Sequence, residues 1–196
     1  MKHFALTGGI GSGKSKVLGL FENLGIPCFS ADVTAKKLMQ EDQYIISAVN
    51  SLFDGKAYTN GRFNRDYVAE QAFSSPELLK NLNRIVHPAV QREYDQWKFN
   101  QHAPYTIYEA AIIFEHHRQD YFDGVILVIA PEEERIRRVM NRDKASEESV
   151  RNRMANQWHD AKKIPLATEI IRNETWSETT DHVNVLHQRL LKNTGV

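Results

Sequence analysis

The chain has 196 residues, with 25 Lys and Arg against 25 Asp and Glu and eight His, so its formal net charge is zero. That length allows one domain with room for an inserted subdomain. Zero net charge offers no overall field to nucleic acid or an acidic membrane, so neither is an expected partner, although a local basic pocket for phosphate stays open. The single cysteine, Cys28, excludes an intrachain disulfide and a cysteine-cluster metal site, which fits a reducing, cytoplasmic setting, and no apolar run reaches the roughly 20 residues of a membrane span.

Residues 1–7 are basic and then briefly apolar, but they run straight into glycines with no cleavage-like segment, so no signal peptide is read there. Residues 4–7 read as a first strand. Residues 14–24 read as a helix, with Val17, Leu18, Phe21 and Leu24 on one face. Gly25 stands where that helix stops, and residues 26–30 read as a second strand. From 34 to 100 no convincing strand is legible. Helical patterns there are broken by turn signals at Asp54-Gly55, Asn60-Gly61, Ser75-Pro76 and His87-Pro88, with Pro88 suited to the first turn of a helix. Residues 105–109 and 125–129 read as two more strands, 132–156 as a charged helical stretch rich in Arg, and 169–172 as a weaker fifth strand.

Apolar strands alternating with helices predict an α/β fold with a parallel five-stranded sheet covered by helices on both faces. The expected organisation is a core of residues 1–33, 101–134 and 157–196, a helical insertion at 34–100 and a lid at 135–156. A monomer or weak homo-oligomer is expected.

Between the first strand and the first helix lies Gly8-x-x-x-x-Gly13-Lys14-Ser15, the P-loop pattern. Glycines let backbone N–H groups converge on a phosphate, and the following helix adds its free N–H groups and positive dipole end. Gly8, Gly9, Gly11, Ser12, Gly13, Lys14, Ser15 and Lys16 are therefore the expected nucleotide-binding set. Lys14 would reach the β/γ-phosphates and Ser15 would ligate Mg²⁺, so ATP and Mg²⁺ are the expected cofactors. The pattern alone is shared by kinases, GTPase switches and motors.

Three features narrow that choice. Asp32 follows the second strand, on the rim where ligands gather in a parallel sheet. There it could accept a hydroxyl proton, assist the metal, or simply cap the next helix. No Asn-Lys-x-Asp guanine reader is present. The Arg-rich stretch suits a kinase lid that would exclude water and favour transfer over hydrolysis, while its other reading is a solvated helix face. A kinase acting on a small molecule or nucleotide is thus preferred over a nucleotide-dependent switch or assembly protein.

The run from Leu6 to Ser15, then Gly25-Ile-Pro and Ala31-Asp32-Val, resembles the opening of dephospho-CoA kinases. Leu82-Asn-x-Ile-Val-His-Pro88 resembles that family's His-Pro segment, and Ile112-Ile-Phe-Glu115 its Leu-Leu-Phe-Glu segment. Arg138 with Arg142-Asp143 looks like its lid, Arg153 to Asn156-Gln157 like the following helix, and Ile171-Arg-Asn173 like its near-C-terminal Ile-x-Asn. The resemblance implies transfer of the ATP γ-phosphate to the 3′-hydroxyl of the dephospho-CoA ribose. It also implies Asp32 as the base, Arg142 acting from the lid, Asn173 near the adenine, and an acceptor region at 34–100. Arg62, Arg65 and His87 are candidate acceptor contacts, with packing as the other reading of His87. Glu115 would organise the acceptor loop or cap a helix. The sequence departs from the family pattern at Ala111, where Pro is usual, at Thr168, where Asp is usual, and at Arg172 and Glu174.

Overall fold

The computed structural model describes residues 1–193. Positions 194–196 of the expected core segment lie outside the described residues. In chain order the elements begin with β1 (Lys2–Thr7), α1 (Lys14–Asn23), β2 (Cys28–Ser30), α2 (Ala31–Glu41) and α3 (Gln43–Leu52). There follow β3 (Tyr58–Thr59), β4 (Arg62–Phe63), α4 (Arg65–Ser74), α5 (Pro76–Phe99), β5 (Tyr105–Glu109) and β6 (Gly124–Ile129). The chain continues through α6 (Glu132–Asp143), α7 (Glu147–Ala155), α8 (Asp160–Lys163), β7 (Glu169–Arg172) and α9 (Trp176–Lys192). The residues divide into two compact units, one of Met1–Ser30 with the chain from Gln101 onward, the other Ala31–Asn100.

The first unit is built on a five-stranded parallel sheet in the order β2-β5-β1-β6-β7. Strands buried on both faces carry near-continuous apolar runs, and β6 is buried along its whole length. Phe4 and Leu6 face one side with Tyr105, Ile107, Ile126, Val128 and Ile171. Val17, Leu18 and Phe21 of α1 and Val183, Leu186 and Leu190 of α9 cover that layer. Each such side chain, fully buried, contributes about 1.5–3 kcal/mol. On the other side Tyr108 stacks on Phe29 and meets Phe122. Helix α1 ends in a Schellman motif. Ile26 N–H bonds Phe21 O, Gly25 N–H bonds Glu22 O, and Gly25 sits at φ +77°. That motif occupies residues 25 and 26, so β2 starts at Cys28, two residues later than predicted.

The second unit packs α2, α3 and α4 on the long helix α5. Its buried side chains include Ile45, Val49, Phe53, Val68, Val86, Val90 and Tyr94. Two features differ from the sequence expectation. The segment does hold a hairpin: β3 and β4 pair antiparallel around Asn60 and Gly61, both at positive φ, as a two-residue primed turn requires. Two-residue strands are too short to show alternation. His87-Pro88 is not a turn, and Pro88 is not at a helix start. Both lie inside α5, where burial of Val86, Ala89, Val90 and Tyr94 outweighs the hydrogen bond that proline cannot make. The turn signal that does act there is Ser75-Pro76. Ser75 caps α5 by accepting from Leu78 N, and Pro76 takes the first helical position.

The charged stretch 132–156 forms two helices, α6 and α7. Lys144 takes a left-handed conformation, φ +54°, and Ser146 caps α7. Among the described residues no helix is long and apolar enough to cross a membrane.

Candidate functional site

The glycine run bends from β1 into α1 through Gly11 and Gly13, both at positive φ. Gly9 is pressed against the Arg135 guanidinium, and Gly13 lies against the Asn173 amide at φ +89°. A side chain at either position would collide with those groups. The first turn of α1 carries no acidic residue and no side-chain cap; Lys16 N–H turns back to Gly13 O at 3.0 Å, and no capping side chain competes with an anion for the N–H groups before it. Ser15 and Lys16 are exposed on that turn, and Gly8, Gly9 and Ser12 are buried beneath it.

A cavity of about 670 Å³ opens above this loop, lined by Gly9, Gly11, Gly13 to Lys16, residues of α6 that include Arg138 and Arg142, and by Asn173 and Trp176. Lys14 lies on its floor. Its Nζ is 3.4 Å from Oε1 of Glu109, a carboxylate only 2% exposed. The other Glu109 oxygen accepts a 2.6 Å hydrogen bond from the Ser30 hydroxyl. Glu109 and Ser30 are register partners at the carboxyl ends of β5 and β2. Glu109 was not among the sequence candidates. The signal that selected Asp32, a carboxylate at a strand's C-terminal end, applied to it equally.

The P-loop is held from behind by three side chains. Asn173 Nδ2 donates to Ser12 O at 2.8 Å, and Asn173 Oδ1 accepts from Thr179 Oγ1 at 3.1 Å. Ile10 is gripped at both ends of its backbone, its N–H by Gln157 Oε1 at 2.8 Å and its C=O by Arg135 Nε at 2.9 Å. Arg135 is 8% exposed and also bonds Asp160 at 3.1 Å. An arginine at 135 read only as part of a charged run, because the loop it supports is 125 residues away in sequence.

The arginines facing the cavity are in different states. Arg138 bonds Glu134 through Nε and Asn173 O through Nη2, while its buried Nη1 makes no hydrogen bond. Arg142 is 62% exposed and lies across Asp143, with contacts of 2.7 and 3.0 Å. Arg153 bonds the same carboxylate at 2.8 Å. These two guanidinium groups hold the Asp143 carboxyl well below the usual carboxylate range, Arg142 contributing most.

The remaining sequence candidates are placed as follows. Glu115 accepts from Trp158 N at 3.0 Å and pairs with the fully buried Lys163 at 2.8 Å. It caps no helix; it ties the turn after β5 to the segment around α8. In the second unit, Asp32 is exposed and is the second residue of α2. It therefore lies inside the first turn, not in the capping position before it, where its charge complements the helix dipole. Arg62 is on β4, Arg65 opens α4, and His87 is half-buried in α5.

Residues 3–179 match the family model for dephospho-CoA kinase. A dephospho-CoA kinase of Sodalis glossinidius is 35% identical over 95% of this chain and 91% of its own length. One from Porphyromonas gingivalis is 40% identical over 78% and 75%. A solved Thermus thermophilus structure aligns with a TM-score of 0.86 at 33% identity, covering 96% of this chain and 97% of that one. At 14% identity a shikimate kinase from Acinetobacter baumannii shares the fold, with a TM-score of 0.53 over 98% of this chain and 94% of its own. A P-loop kinase core with a nucleotide-sized cavity, matched along nearly its whole length, leaves one assignment: this chain belongs to the dephospho-CoA kinase family.

Proposed function

We propose that this chain transfers the γ-phosphate of ATP to the 3′-hydroxyl of the dephospho-CoA ribose, giving coenzyme A and ADP, the last step of coenzyme A biosynthesis. The observation that carries this reading is the P-loop cavity, with Lys14 seated on buried Glu109, in a chain that matches the family over residues 3–179.

In this mechanism the N–H groups of the P-loop and of α1 bind the phosphates, and Lys14 neutralises charge on the β/γ-oxygens. Mg²⁺ takes only one or two protein oxygens, together with phosphates and water. The exposed Ser15 hydroxyl and Glu109 Oε1, which is buried and makes no hydrogen bond, are two oxygens that fit such a site. When bound, the ion supplies further neutralisation of the phosphate charge. Arg142 leaves Asp143 for the transferring phosphate, while Arg138 offers its unpartnered Nη1.

Asp32 follows the Glu109-bonded Ser30 by two residues in the chain. It orients the acceptor hydroxyl and takes its proton as the new P–O bond forms. Residues 34–100 receive the acceptor, with Arg62, Arg65 and His87 as the polar groups that meet its phosphates and pantetheine arm. Glu115, fixed by Lys163, stiffens the acceptor loop. Residues 135–156 act as the lid and residues 1–33, 101–134 and 157–196 as the nucleotide core. Phosphorus NMR of the product formed from ATP, Mg²⁺ and dephospho-CoA tests the reading. A new 3′-phosphomonoester is expected, and phosphate released to water or placed elsewhere would overturn it.

A further inference from the structure

The cavity above the P-loop has phosphate chemistry along its floor and arginines on one wall, but ATP also carries a planar, uncharged base. Trp176 supplies a surface of that kind. It lines the same cavity, and it is 47% exposed, whereas the core layer beneath α9 is made by Val183, Leu186 and Leu190. An indole that lines this cavity half in water adds less to the fold than a buried one.

Its backbone is nonetheless anchored. Trp176 is the first residue of α9, directly after Thr175. The Thr175 hydroxyl accepts from Glu178 N–H at 3.4 Å, a side-chain cap on the first turn, and donates to Glu178 Oε2 at 2.6 Å. Three residues earlier, Asn173 holds the P-loop carbonyl of Ser12. The P-loop and the backbone that carries the ring are therefore held by one short segment. The Lys16 ammonium, two residues beyond Lys14 on α1, stands over one face of the indole, 5.8 Å from its centroid, which leaves the opposite face for a base. The aromatic face and the phosphate-binding turn thus border the same space.

We propose that Trp176 is the stacking platform for the base of the donor nucleotide. This rests on the reading of the P-loop cavity as the donor site. Stacking recognises a π-face rather than a hydrogen-bond pattern, so the platform serves adenine and guanine alike, and base selectivity comes from other groups.

The test compares the parent chain, Trp176→Ala and Trp176→Phe by calorimetric titration with ADP, GDP and inorganic tripolyphosphate, each with Mg²⁺. Removing a stacking ring weakens binding by roughly 5- to 150-fold per base. Trp176→Ala is expected to lose affinity for ADP and GDP within that range and by similar factors, and to keep parental affinity for tripolyphosphate. Trp176→Phe is expected to recover most of the loss. Nucleotide-dependent quenching of tryptophan fluorescence should vanish in Trp176→Phe, although Trp97 and Trp158 remain. Parental ADP affinity in Trp176→Ala would overturn the platform alone. So would an equal loss for tripolyphosphate, which marks a structural role. A parent chain that binds neither ADP nor tripolyphosphate would overturn the nucleotide site and the platform with it.

Discussion

Lys14 Nζ and Glu109 Oε1 stand 3.4 Å apart at the base of the P-loop, and the carboxylate is 2% exposed. A buried carboxylate of this kind needs a positive partner, and the P-loop lysine supplies it. The same pairing holds the lysine at the floor of the cavity before nucleotide arrives. Glu109→Gln keeps an oxygen for the Ser30 hydroxyl but removes the charge. Its kcat is expected to fall by about 10²-fold, the scale for losing one preorganised electrostatic group, and Lys14→Ala should cost at least as much. Because the two act as a unit, the double variant should resemble Lys14→Ala and not the product of both losses. Steady-state kinetics on the cycle check this, and strictly multiplicative losses would contradict it.

Asp32 offers a cleaner separation of roles. It is exposed in the first turn of α2, where a carboxylate contributes only about 0.3–1 kcal/mol through the helix dipole. Asp32→Asn should therefore fold with nearly parental melting temperature and bind ATP with Mg²⁺, while kcat drops by about 10²–10⁴-fold. A kcat within a factor of a few of the parent would remove Asp32 from the catalytic residues. Rescue by excess Mg²⁺ would assign it to the metal instead.

Arg135 and Arg142 sit on the same helix and should fail in opposite ways. Arg135→Ala leaves Asp160 without its ion-pair partner and Ile10 O without its donor, which is expected to cost about 3–5 kcal/mol of stability and to raise the KM for ATP. Among the described residues Arg142 pairs only with Asp143, at an exposed position, so Arg142→Ala should barely change the melting temperature but lower kcat. Lysine should restore it poorly, because the planar fork is lost. Thermal denaturation and kinetics on the two variants read the contrast, and a shared phenotype would contradict it.

Most of the fold was legible because its signals are local. Apolar runs marked the five strands, and the glycine spacing marked the P-loop together with its strand-to-helix context. The hairpin at Asn60-Gly61 escaped because two-residue strands carry no periodicity. Pro88 misled because its ordinary preference is overridden by the buried face of α5. The braces behind the site were invisible for another reason. Arg135 to Ile10, Asn173 to Ser12 and Lys163 to Glu115 join residues far apart in sequence, and each is an ordinary polar residue until the sheet brings it to its partner.

The back of the sheet gives a pH dependence. His187 Nδ1 lies 2.7 Å from the Tyr105 hydroxyl in the layer under α9, and burial lowers the imidazole pKa from its ordinary 6.5. The unfolded chain then binds the proton more readily than the folded one. The stability this residue contributes is complete above pH 6.5 and is lost as pH falls below it. The melting temperature should decline as pH falls below about 6.5, and less steeply in His187→Gln than in the parent. Equal slopes would contradict the assignment.

Phosphoryl transfer from ATP to one particular acceptor is read by an ADP-coupled assay with and without dephospho-CoA. ADP formation is expected to depend on dephospho-CoA, to exceed the rate with adenylate or a nucleoside as acceptor, and to collapse in Lys14→Ala. ADP formed at the same rate without dephospho-CoA, or faster with adenylate, would contradict the account.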